Sequence, residues 1–90
     1  MQKSTHTPHY LAVRRKLVAM RKAAKLTHRQ LGELLEREHS FVWRVEQGER
    51  RLDLVEFFWY CRALGHDPVK VYTELAEELA RCEGPPRRKS

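Results

Sequence analysis

The sequence predicts an all-α domain of five helices. Three observations carry this: apolar residues recur at spacings of three and four through most of the chain, no segment alternates apolar with polar residues as a half-buried strand does, and cap residues and helix-starting prolines divide the chain into short helical stretches. There is no internal repeat. At 90 residues the chain is one domain with room for a modest core.

The first helix opens at Thr7-Pro8, where a hydroxyl can accept from the free N–H groups of the first turn and the proline has no N–H to leave unpaired. Val13, Leu17, Met20 and Ala24 follow at helical spacing with Arg14, Arg15, Lys16 and Lys22 between them, which gives a helix over roughly 8 to 25. Thr27 and Gln30 form a capping box for a short second helix, whose inward stripe is Leu31, Leu34 and Leu35 and which ends near Leu35. "EREH" is then a tight turn. From Ser40 to Gln47 a third helix of about two turns directs Val42 and Val45 inward, and Gly48 supplies a left-handed stop. Asp53 and Glu56 make another capping box and open "LVEFFWYCRALG", in which Leu54, Phe57, Phe58, Cys61 and Leu64 form the densest apolar stripe before Gly65. Asp67-Pro68 starts the fifth helix, which Val71, Tyr72, Leu75 and Leu79 carry to about Cys82, with Gly84-Pro85-Pro86 as terminator. Residues 1–6 and 84–90 are expected to be a disordered arm and a disordered basic tail flanking a domain over 7–83.

The formal net charge is +6, which favours a polyanionic partner, though basic composition is shared with ribosome-associated and membrane-surface proteins. Its distribution is more informative. Through Arg51 there are 12 Lys/Arg against 5 Asp/Glu, or +7; residues 52–83 have 3 against 7, or −4; Arg87, Arg88 and Lys89 restore +3. The basic surface therefore belongs to the half that contains the two short helices. Cys61 and Cys82 are too few for an oxidised disulfide framework and read as reduced thiols of an intracellular protein. The N-terminal stretch lacks the apolar centre of a signal peptide, and no run reaches membrane-spanning length.

Two short helices joined by a tight turn, the second polar on its outer face, have the geometry that fits a major groove. The run "LTHRQLGELLEREHSFVWRVEQG", Leu26 to Gly48, resembles the helix-turn-helix of the Cro/Xre phage-repressor family. The likeness is carried by Leu26-Thr27, by Leu31 followed by the small Gly32, by Ser40, and by Val42, Arg44, Val45, Glu46 and Gly48. It continues through Arg50-Arg51 and "GHDPVKVY", covering roughly 13 to 75. It implies a five-helix fold of the lambda-repressor-like DNA-binding type, with helices two and three as the helix-turn-helix. A homeodomain is excluded because "FVWRVEQ" lacks the Asn-Arg register of that reader and two further helices follow. The sequence departs from the family where a glycine, an apolar residue and a small cap usually stand: Glu36, Arg37 and Glu38 occupy the turn, and Lys25 replaces another common glycine. A left-handed backbone at Glu36 costs roughly 1 kcal/mol relative to glycine, so a wider turn is expected.

The resemblance implies that the N-terminal part and outer face of helix three reach base edges, which nominates His39, Ser40 and Arg44, with Trp43 beside them. The chemistry suits: Arg44 can fork onto guanine O6 and N7, Ser40 can donate or accept, and His39 can do either by tautomer. A solvated surface arginine is the alternative for Arg44. Trp43 either lies along the groove wall or folds against helix two or a partner subunit. His28 and Arg29, in the first turn of helix two, can meet a phosphate, as can Arg37 in the turn. In the family the loop holding Arg50 and Arg51 lies along the DNA backbone, with Gln47 near the same strand; ordinary surface charge is the alternative. Neutralising about five phosphates gives a salt slope of roughly −4 to −5. Arg21 and Glu46 match the family's structural ion pair.

His6 with His9, or Cys61 with His66, do not offer four metal ligands at a recognised spacing, so no metal and no cofactor is expected. Nothing pairs a nucleophile with a base, so no enzyme activity is expected either. Family members bind operators as two-fold dimers. The C-terminal half is the expected interface, with Val55 and Trp59 on helix four and Val71, Tyr72 and Leu75 on helix five; covering one long first helix is the other use for such residues. The function implied is a double-stranded-DNA-binding regulator, a dimeric repressor in the cytoplasm of a bacterium or encoded by a phage and associated with the nucleoid. Its rivals are an antitoxin-type module that also masks a protein toxin, and a nonspecific basic binder. No membrane partner is expected.

Overall fold

In a computed structural model that describes residues 6–82, the chain forms α1 (Pro8–Ala23), α2 (His28–Leu34), α3 (Phe41–Gln47), α4 (Leu54–Ala63) and α5 (Pro68–Arg81), and no strand among the described residues. The expected disordered arm, 1–6, except for His6, and the expected basic tail, 84–90, lie outside the described residues.

Four of the five helices begin at the capping signal that marks them. The Thr7 hydroxyl accepts from the Tyr10 N–H at 3.1 Å, and Pro8 follows. At Thr27 the box closes both ways: the Gln30 N–H donates to Thr27 Oγ1 at 3.0 Å and the Thr27 N–H to Gln30 Oε1 at 2.9 Å. Asp53 and Glu56 repeat it at 2.8 and 2.9 Å. The Asp67 carboxylate accepts from the Val69 N–H at 3.0 Å ahead of α5.

The helix ends differ more from expectation. α1 stops at Ala23 because Lys25 adopts φ 61°, and the turn after α2 is closed by Glu36 at φ 58°. The turn is thus not widened to spare Glu36; it takes the left-handed conformation and bears the steric cost. The Arg37 N–H donates back to the Gly32 carbonyl at 2.9 Å, and a Cβ on Gly32 would stand 3.4 Å from the Glu38 carbonyl oxygen, so the turn folds tightly over that glycine. Gly48 ends α3 at φ 80°, as its type requires.

The core gathers Leu17 and Met20 of α1, Leu31 of α2, Phe41, Val42 and Val45 of α3, Tyr60, Cys61 and Leu64 from α4 and its end, and Val71 of α5. α3 packs closely on α1 and α2, while α5 packs on α1 and α4. Across this second contact Lys16 pairs with Glu74, and Arg15 lies 3.7 Å from Glu78.

The stripe expected along α4 is rotated. Tyr60 is sealed in the core, whereas Leu54 is 81% exposed and Phe58 is also on the outside. With α4 apolar at all but Glu56 and Arg62, spacing alone selects no face, and the packing chooses Phe57, Tyr60, Cys61 and Leu64. Leu34, expected inward on α2, is likewise exposed. Burial pushes the Cys61 thiol up to about 11, which keeps it protonated and inert.

Replacing Glu36 by glycine removes the Cβ penalty at a left-handed position. Glu36→Gly is expected to raise unfolding free energy by about 0.5–1 kcal/mol in denaturant melts, and Glu36→Val to lower it; a destabilised glycine variant contradicts the strain.

Candidate nucleic-acid interface

α3 is divided lengthwise. Phe41, Val42, Val45 and Glu46 are buried; Ser40, Trp43, Arg44 and Gln47 are exposed, with His39 exposed in the preceding turn. Ser40 occupies the N-cap position in a helical conformation, and its side chain makes no capping bond. Instead the Phe41 N–H reaches the Glu38 carbonyl at 3.0 Å, which leaves the Ser40 hydroxyl on the outer surface. Trp43 is 44% exposed, a large ring turned outward rather than folded into the core. These five side chains form one continuous outer strip about two turns long.

The inward carboxylate of α3 sets how this strip is presented. Glu46 lies in the core region, and Arg21 forks onto it, with Nε 2.6 Å from Oε2 and Nη2 3.1 Å from Oε1. This bond raises the guanidinium pKa against the opposing effect of burial. Arg21 Nη1 also donates to the Leu26 carbonyl at 2.8 Å. One guanidinium therefore joins α1, the loop before α2 and the end of α3.

His28 is placed differently from the expectation. Its Nε2 lies 2.8 Å from Glu46 Oε1, so the ring is hydrogen-bonded to the carboxylate that Arg21 also holds. Arg14, which sequence reasoning missed, donates from Nε to the Glu46 carbonyl at 3.0 Å, satisfying a helix-end acceptor. A Cβ on Gly48 would meet Arg14 Nη1 at 2.8 Å, so the guanidinium lies directly against that glycine. The only signal available was spacing: Arg14 and Arg21 stand seven apart on one face of α1.

The remaining arginines fall into two groups. Arg29 is exposed, with Glu33 at 3.5 Å in a solvated i,i+4 pair, and Arg51 is exposed in the loop after α3. Arg37 and Arg50, also expected on phosphates, converge on Glu56 instead. Arg37 Nη1 reaches Oε2 at 2.9 Å, and Arg50 spans both carboxylate oxygens at 2.9 Å. The Arg50 bond, with help from the Asp53 N–H and Arg37, lowers the Glu56 pKa to about 2 in spite of burial.

The residues expected at a subunit contact also separate. Val71 and Leu75 are core residues, 3% and 2% exposed, because they fill the space between α5 and the helices it packs on. Val55, Trp59 and Tyr72 are exposed, as are Leu54, Phe58 and Val69; Leu54, Phe58, Val69 and Tyr72 line an apolar groove between α4 and α5, whereas Trp59 lies toward Leu35 and Phe41. Among the described residues no three His, Cys, Asp or Glu side chains are grouped as metal ligands, and no helix is long and apolar enough to cross a membrane.

A family model described as a helix-turn-helix domain matches residues 12–71. Among solved structures, the chain is similar to an XRE-family like protein from Pseudomonas syringae pv. tomato str. DC3000, with a TM-score of 0.77 and 38% identity, over 84% of this chain and 93% of that one. No curated protein matches.

Removing the Glu46 carboxylate leaves Arg21 without its partner in a largely buried position. Glu46→Ala is expected to cost about 3 kcal/mol or more and to lower melting temperature and duplex affinity together; affinity lost with stability intact contradicts a holding role. Glu56 gives a pH signature. Its carboxyl is held at about 2 against an ordinary value of 4.5, so its contribution is complete above 4.5 and is lost as pH falls toward 2. Denaturant melts across that window should show a steeper loss for the wild type than for Glu56→Gln.

Proposed function

The chain belongs to the XRE-type helix-turn-helix DNA-binding family, a non-enzymatic one, and on that premise we propose that it is a sequence-specific transcriptional regulator, a dimeric repressor that reads the major groove with α3. One observation carries the reading: α3 keeps Phe41, Val42, Val45 and Glu46 inward and leaves Ser40, Trp43, Arg44 and Gln47 exposed, with no side-chain hydrogen bond or ion pair to the scaffold. A helix exposed on one side, docked on a second helix and flanked by positive charge matches the requirements of groove insertion.

In this reading Arg44 forks onto guanine, Ser40 and His39 bond base edges, and Trp43 lies along the groove wall against sugar atoms or a thymine methyl. Arg29, Arg51 and Gln47 face the phosphates. His28 belongs to the Glu46 cluster and supports the interface from behind.

The exposed apolar groove of Leu54, Phe58, Val69 and Tyr72 supports association, and a second copy of the chain placed there supplies the two-fold symmetry a palindromic operator needs. The same exposed face favours a second reading, in which a protein toxin covers it and the chain acts as an antitoxin as well as an operator binder.

Selection of bound duplexes from a random pool tests the proposal directly. The expected product is a palindromic site with half-sites about one helical turn apart. Arg44→Ala is expected to cost about 1–3 kcal/mol and to relax one position of that site. With Arg29 and Arg51 as the charged phosphate ligands of each protomer, a dimer has a log–log salt slope of about −3.6. A pool that shows no enriched sequence, with Arg44→Ala behaving as wild type, refutes specific reading. A monomeric chain bound to an equimolar protein partner favours the antitoxin.

A further inference from the structure

We propose that Glu56 is a positioning residue of the DNA interface: it withdraws Arg37 and Arg50 from the phosphates and uses them, across the ring of Phe41, to tie both ends of α3 to the start of α4. The inference rests on the DNA-reading role of α3 given above.

The two arginines flank the reading helix, Arg37 in the turn before it and Arg50 in the loop after it. Both meet at one carboxylate with three bonds of 2.9 Å. On the way each guanidinium passes over the Phe41 ring, with its central carbon 4.0 Å (Arg37) and 4.9 Å (Arg50) from the centroid. Phe41 is the first residue of α3 and is almost wholly buried, so the two cations close over the helix start like a clasp. Arg50 Nη1 also donates to the Arg51 carbonyl at 2.7 Å, which orders the loop after α3. Glu56 in turn accepts from the Asp53 N–H at 2.9 Å, so the clasp is built into the capping box of α4.

This geometry makes both arginines poor phosphate ligands. Arg37 Nη1 and both Nη groups of Arg50 are committed to a carboxylate that is itself largely shielded, and a phosphate that took these donors would leave Glu56 charged and unpaired beside it. Arg29 and Arg51 face no such competitor on the buried side. The clasp also joins what the helix packing keeps apart, since α3 rests mainly on α1 and α2 whereas α4 rests on α5.

Glu56→Gln keeps an oxygen for the Asp53 N–H but removes the charge that gathers the arginines. The test compares wild type, Glu56→Gln, Arg50→Gln and the double variant, each assayed below its own melting transition. Duplex affinity is measured against salt, and amide exchange is followed in residues 41–47. The expected result is roughly five- to tenfold weaker binding for either single variant, with little further loss in the double. Amide exchange in α3 accelerates, and the salt slope stays that of wild type. Tighter binding by Glu56→Gln with a slope steeper by about 0.9 for each arginine recruited overturns the proposal, as does a slope shallower by that amount per protomer in Arg50→Gln. Unchanged affinity and unchanged exchange overturn it too. If the wild type holds no duplex, the functional reading fails by itself, and exchange in α3 alone then decides whether Glu56 positions that helix.

Discussion

The architecture turns on one buried carboxylate. Glu46 faces inward from the last turn of α3, where Arg21 of α1 and His28 of α2 meet its two oxygens. Its backbone carbonyl is held by Arg14. A seven-residue helix is far below the length that is stable alone in water, so α3 exists because tertiary contacts hold it. Apolar packing through Phe41, Val42 and Val45 supplies attraction without direction. The forked and angular bonds at Glu46 supply the direction, and with it the tilt of the outer strip.

The same bonds change the meaning of the basic charge. Much of the positive excess of the N-terminal half is engaged within the chain: Arg14 and Arg21 on the end of α3, Arg37 and Arg50 on Glu56, and, at the surface, Lys16 and Arg15 on the acidic side of α5. The negative C-terminal half is in this sense a counterweight to α1. What is left facing outward is smaller: Arg44 on α3, Arg29 on α2, Arg51 in the loop, and Lys22 and Lys25 at the end of α1 and just after it.

Local chemistry was legible in the sequence and long-range pairing was not. The boxes at Thr27 and Asp53 and the caps at Thr7 and Asp67 act within two or three residues, so residue type and spacing define them completely. The division of α3 was legible for a similar reason, because Val42 and Val45 are its inward pair and Gly48 marks its end. The inward face of α4 was illegible, since almost every position there is apolar and only packing into the shared core distinguishes Tyr60 from Phe58. Arg37 and Arg50 read as phosphate ligands because their partner is remote: Arg37 is nineteen positions from Glu56, and a capping residue gives no sign of a second task. The left-handed Glu36 shows a related limit, since a conformation that disfavours its residue type is imposed by the compact turn over Gly32.

The unused hydroxyl of Ser40 illustrates a separation of labour along one short helix. Because the side chains of Ser40, Arg44 and Gln47 are exposed and make no bond to the scaffold, substitutions there leave its free energy nearly untouched. Mutational drift at these three places can therefore remodel the outer strip while folding remains under independent selection.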